Sequence, residues 1–121
     1  MAEDIPNILF VCARNKWRSP TAERLYRKDN RISVRSAGMK DKSNHKISDR
    51  DIEWADLIMV MERGYISWIQ GLFRHLDLPP IVSLDIPDEY EYMDTELIDL
   101  IRKGTEFHIN HLLRNTGRQD S

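Results

Sequence analysis

The sequence predicts an α/β fold: one domain over residues 1–121, in three layers, with a four-stranded parallel sheet and helices on both faces. Three observations predict it. Apolar runs too short for helices recur along the chain, stretches with helical spacing separate them, and 121 residues leave room for one modest core. Strand and helix in alternation argue a parallel sheet, because each crossover helix carries the chain back to the end where the last strand began.

The elements follow in order. Ile8 to Val11 is the apolar run of a buried parallel strand. Ser19 is placed as a helix N-cap with Pro20 at the first helical position, where the missing N–H costs nothing; Ala22, Leu25 and Tyr26 then follow at helical spacing. Arg31 to Ser36 alternates Ile32 and Val34 with polar residues, as a half-exposed strand does. Ser48 opens a short helical turn into Trp54, and Asp56 to Met61 is a third strand. Tyr65 to Leu76 has apolar residues all round, as in a helix seated on the sheet or on a partner. Pro79 and Pro80 punctuate before a fourth strand, Ile81 to Leu84. Thr95 to Leu113 carries Ile98, Ile101, Ile109 and Leu112 on one stripe and forms a long closing helix, leaving Asn115 to Ser121 as a polar, flexible tail.

Bulk properties narrow the function. A net charge of −2 gives no general affinity for nucleic acid or a membrane surface. No leading apolar segment suggests secretion and no run approaches a membrane span, so the expected location is cytoplasmic. One cysteine excludes an internal disulfide and suits a reducing compartment. The four histidines are scattered, so no metal site is expected, and nothing calls for a cofactor.

The cysteine itself carries the signal. Cys12 stands where the first apolar run stops, and Arg18, Ser19 and Pro20 follow after five residues. Ala13, Arg14, Asn15, Lys16 and Trp17 must then wrap around a helix N-terminus, where free N–H groups and the helix dipole favour a phosphate-like dianion. Arg14, Lys16 and Arg18 add positive charge, and Arg18 is placed to grip two phosphate oxygens. The same field favours Cys12 as the thiolate, the form that attacks phosphorus. The plainer alternative is a lone cysteine packed as a small hydrophobe.

A cysteine, five residues, arginine and serine resembles the active-site loop of the low-molecular-weight protein tyrosine phosphatases. The similarity extends to Pro20, Ala22 and Glu23, to Val34-Arg35-Ser36-Ala37-Gly38 as a second strand and turn, to Asp51 to Met61, and to Asp88-Glu89-Tyr90. The resemblance implies a phosphatase that needs no metal and forms a cysteinyl-phosphate intermediate. Cys12 would be the nucleophile, Arg18 the phosphoryl binder and Asp88 the general acid. Ser19 would assist the sulfur as a leaving group, while Asn15 and Ser36 would hold the loop. Implied partners are a phosphorylated protein or small aryl phosphate, with inorganic phosphate or another oxyanion in the site. Pro87 before Asp88 and Tyr90 after it favour Asp88, with Asp85 as an alternative; Asp94 is the third candidate and also fits the N-cap of the last helix. Tyr90 is the favoured rim aromatic, with Tyr92 the other candidate.

Departures from the family pattern bear on substrate. Arg14 replaces a usual glycine, Trp17 stands where a second, protective cysteine often lies, and Glu89 and Glu91 replace a proline and an aromatic. Trp17 could wall the pocket or pack in the core. Only twelve residues separate Gly38 from Asp51, so the mouth is expected to be more open on that side. Two other classes use related parts: a phosphate-binding module without turnover, and an arsenate reductase, which needs further cysteines that this chain lacks.

Overall fold

The apolar run at Ile8 forms the middle of the sheet. The structure, a computed structural model, describes the backbone of residues 5–119 and side chains up to 114. Its elements are β1 (Asn7–Cys12), α1 (Arg18–Tyr26), β2 (Ser33–Gly38), α2 (Asp49–Trp54), β3 (Leu57–Val60), α3 (Gly64–Leu72), β4 (Ile81–Ser83) and α4 (Thr95–Gln119). All pairings are parallel and the strand order is β2-β1-β3-β4. The expected α/β fold is therefore present.

Strand side chains alternate between the two faces, and the core divides accordingly. Ile8, Phe10 and Cys12 face a cluster with Ala22 and Tyr26 of α1 and Leu97, Ile101 and Ile109 of α4. Leu9 and Val11 face the other cluster, with Ile52 of α2 and Tyr65, Ile69 and Phe73 around α3. Being buried on both faces is why β1 and β3 read as unbroken apolar runs.

Four details differ from the sequence reading. α1 starts at Arg18 with Trp17 in the cap position, so Ser19 is not the N-cap; its hydroxyl is engaged elsewhere, and Thr21 Oγ1 bonds the Trp17 carbonyl at 2.6 Å. α3 stops at Leu72, because Phe73 drops into the core and its N–H closes on the Ile69 carbonyl. The buried stripe of α4 runs through Leu97, Ile101, Thr105 and Ile109, one residue off Ile98. That helix continues to Gln119, into the stretch expected as a tail, and residues 120–121 lie outside the described ones. Ser48 does cap α2, in a reciprocal box with buried Asp51, which also bonds His45.

One polar cluster ties the turn after α1 to α4. Arg31 grips Glu106 through two bonds of 2.9 Å and also holds Asp29, while the Tyr26 hydroxyl donates to Glu106 at 2.9 Å. The Arg31 guanidinium holds both carboxyls below their usual range. Burial, then Glu106, pushes the Tyr26 hydroxyl up, so it stays a donor. Depressed carboxyl values mean the stabilisation is present above the unfolded carboxylate range, about pH 4, and is lost as pH falls. Arg31→Ala should therefore cost about 1 kcal/mol at pH 7, kept small by solvent screening, and the gap to wild type should close toward about pH 3. Urea unfolding across that pH range checks it; a gap that widens on acidification contradicts the assignment.

Candidate active site

β1 ends at Cys12, at the carboxyl edge of the sheet, with β2 and β3 on its two sides. Crossovers leaving a strand in opposite directions open a crevice at that edge, where such folds take ligands. The five residues after Cys12 cross this crevice into α1.

The loop is pinned by the segment after β2. Met39 N–H donates to the Cys12 carbonyl, Lys40 N–H to that of Ala13, and Asn44 N–H to that of Arg14, at 3.0, 2.9 and 3.1 Å. Asn44 Nδ2 adds a bond to the Asn15 carbonyl and Ser43 Oγ one to Ala13. In a trans peptide the N–H points opposite to the carbonyl. With the Ala13, Arg14 and Asn15 carbonyls turned toward this segment, the Arg14, Asn15 and Lys16 amides turn the other way, as an anion nest requires. Asn15 has φ of 53°, a left-handed conformation that asparagine tolerates well. Gly38 permits the close packing: a Cβ there would lie 2.7 Å from the Asn15 nitrogen and 2.2 Å from Ser43 Oγ. The expectation of a more open mouth on this side is corrected, since Lys40 to Asn44 lies against the loop despite the short connection.

Behind the loop runs a polar chain. Asn15 Nδ2 donates to both Ser19 Oγ and Ser36 Oγ, at 3.0 and 2.9 Å, and the Ser36 hydroxyl donates to Glu23. Ser19 Oγ lies 3.0 Å from Cys12 Sγ and 3.3 Å from the Ala37 carbonyl. A thiolate can only accept, so in that state Ser19 donates to sulfur.

Arg18 is 1% exposed yet lines the cleft. Its Nη1 donates to the Ile86 carbonyl at 2.8 Å and pairs with Glu62 at 2.8 Å, while Nε stands 3.7 Å from Asp88 Oδ1. Glu62 in turn accepts from the Tyr65 hydroxyl. These partners fix the fork of a buried cation.

The cleft, about 260 Å³, brings Cys12, Ala13, Arg14, Lys16, Trp17 and Arg18 together with Asp88 and Lys40. Asn15, Ser19 and Ser36 stand behind it as supports. Trp17 is a wall of the cleft, half-buried, with Lys16 Nζ 4.8 Å from its ring centroid. Asp88 is 53% exposed there. The rival carboxylates are engaged elsewhere: Asp85 accepts from Arg63 and Ser83, and Asp94 caps α4 through the Glu96 N–H. Tyr90 does not line the cleft. It packs on the α4 side of the core and donates to Glu96, so its expected place on the rim is corrected. Tyr92 is exposed and likewise absent from the lining.

Sequence reasoning missed Glu62, Lys40 and Asn44. Glu62 had a signal: it lies two residues past the end of β3, beside the strand that ends at Cys12, at the ligand edge. Lys40 and Asn44 had none, because only the packing of their segment brings them to the loop.

Residues 7–56 match the family model described as Low molecular weight phosphotyrosine protein phosphatase. The fold is similar to SP-PTP, a low molecular weight protein tyrosine phosphatase from Streptococcus pyogenes, with a TM-score of 0.74 and 20% identity over 89% of this chain and 93% of that one. It is also similar to Vibrio vulnificus Wzb in complex with benzylphosphonate, with a TM-score of 0.66 and 23% identity over 88% and 99%. The YwlE arginine phosphatase from Geobacillus stearothermophilus shares the fold at a TM-score of 0.64 and 21% identity over 94% of each chain. No curated protein matches the chain in sequence.

Proposed function

We propose that this relative of the low-molecular-weight phosphotyrosine protein phosphatases is a cysteine-dependent, metal-independent phosphomonoesterase acting on phosphotyrosine in proteins or on similar aryl phosphates. The observation that carries this reading is one cleft holding Cys12 with Ser19 Oγ 3.0 Å from its sulfur, the fixed guanidinium of Arg18 and the carboxyl of Asp88.

In the first step the Cys12 thiolate attacks phosphorus while the bond to the ester oxygen breaks, and Asp88 delivers its proton to that leaving oxygen. The loop amides and Arg18 hold the equatorial oxygens, where charge spreads in the transition state. Water then attacks the cysteinyl phosphate. The Asp88 carboxylate takes a proton from it, the phosphorus–sulfur bond breaks, and Ser19 donates to the departing sulfur. Glu62 and the Ile86 carbonyl act as positioning groups for Arg18. Inorganic phosphate, the product, fits the same cradle, and the oxyanions bound by solved relatives support this. A nucleophilic thiol suits the reducing cytoplasm, where we place the enzyme. Among the described residues no helix is long and apolar enough to cross a membrane.

The test is hydrolysis of p-nitrophenyl phosphate, expected to be blocked by vanadate and indifferent to chelators. Phosphotyrosine, phosphoserine and phosphoarginine peptides compared side by side then read the leaving group, the last because arginine phosphatases share the fold. Phosphopeptide binding without turnover of any of these would select a phosphate-binding module instead.

A further inference from the structure

Beside the catalytic cleft lies a second groove with an unusual lining. Trp68 and Leu72, four residues apart on α3, are 41% and 49% exposed, whereas Tyr65 and Ile69 on the same helix are buried. The two exposed side chains line this groove with Met39, Lys40 and the ion pair of Lys46 with Asp41. Trp68 is steadied by the Tyr65 ring, 5.9 Å away between centroids. Lys40 lines both this groove and the cleft of Cys12, so the two are continuous along one side chain.

Charge gives the occupant. Arg14, Lys16 and Lys40 are exposed around the cleft, and among the described residues Asp88 is the one carboxylate in its lining. A single phosphoryl group is already matched by Arg18 and the loop amides, so these rim cations are left over for further negative charge on the substrate. A second copy of this chain fits poorly. Two half-exposed side chains fall far short of the ~1,200 Å² at the lower end of specific stable interfaces, and they suit instead one apolar side chain of an extended segment.

We infer that the Trp68–Leu72 groove, joined to the active site through Lys40, is a substrate-recognition subsite that seats an apolar residue of an acidic phosphoprotein segment whose phosphoryl group occupies the Cys12 cradle. This rests on the phosphatase reading for the cradle, and it adds that protein substrates are chosen by flanking sequence. Acidic residues face the Lys40 rim, and the apolar residue fills the groove between Trp68 and Leu72.

The experiment uses acidic phosphotyrosine peptides with one leucine stepped through each flanking position. Affinities are measured by calorimetry on Cys12→Ser protein, and p-nitrophenyl phosphate turnover is measured on the otherwise wild-type chain. One leucine position should bind roughly tenfold tighter than the others, the scale of half-burying one such side chain. Trp68→Ala with Leu72→Ser should erase that preference while leaving p-nitrophenyl phosphate turnover unchanged. The single variant Leu72→Ser, which keeps the aromatic contact to Tyr65, should weaken the preference on its own. Equal affinity at every leucine position overturns the subsite, as does a preference that survives the double variant. A concentration-dependent dimer abolished by the double variant, with no leucine preference, assigns the groove to self-association and also overturns it. Failure of the phosphatase reading shows separately, as absent p-nitrophenyl phosphate turnover, because the binding arm needs no catalysis.

Discussion

Replacing Cys12 by serine is expected to lower p-nitrophenyl phosphate turnover by at least about ten-thousandfold, the scale seen when a catalytic nucleophile is removed. The substitution changes sulfur to oxygen with little change in volume, and the hydroxyl can still bond Ser19. What is lost is the reactivity of sulfur: a serine hydroxyl is a far weaker nucleophile than a cysteine side chain near neutral pH. Binding should persist, because Arg18 and the loop amides are untouched. Single-turnover and steady-state assays, with phosphopeptide binding as the control for folding, measure both halves. Residual turnover within about a hundredfold of wild type would place the nucleophile elsewhere and remove the mechanism.

Asp88→Asn is expected to reduce turnover by about a hundredfold or more, the range of a positioned general acid. The loss should be greater for phenyl phosphate than for p-nitrophenyl phosphate, since the more basic phenolate depends more on the proton. This leaving-group contrast separates acid catalysis from damage to the cleft, which would slow both esters alike. Asparagine cannot attract Arg18 Nε, 3.7 Å from the carboxylate, as a charge does, but the Glu62 and Ile86 contacts still hold the guanidinium. Asp85 and Asp94 are poor substitutes. One is engaged by Arg63 and Ser83, and the other caps α4. An unchanged rate would transfer the acid role to a group outside Asp88.

The two effects together describe a site whose parts are held from three directions. Asn15, Ser19, Ser36 and Glu23 brace the loop from behind, the 39–44 segment pins its carbonyls, and Glu62 with the Ile86 carbonyl sets Arg18. Preorganisation of this kind matters because donors already aimed at developing charge need no reorientation during reaction.

The substituted positions in the loop also become intelligible. Arg14, where the resembled loop usually has a glycine, adds exposed charge to the cleft beside Lys16, and Trp17 forms a wall of it. With a single cysteine, the chain has no internal thiol to recapture an oxidised Cys12 as a disulfide.

By itself the sequence determined the sheet, the crossover helices and the loop that follows Cys12. These are local: an apolar run buried on both faces can only be an inner strand, and cysteine, arginine and serine six and seven residues apart must share one loop. The tertiary structure alone decided which carboxylate shares the cleft with Cys12, that Tyr90 turns to Glu96 and away from the cleft, and that Glu62, Lys40 and Asn44 join the site. Those contacts join residues far apart in the chain, and no local periodicity encodes where a polar loop side chain points once the core has closed. Ser19 shows the boundary most clearly. Its type and place suit a helix cap, but folding brings Cys12 and Asn15 within 3.0 Å of its hydroxyl, and the site takes it.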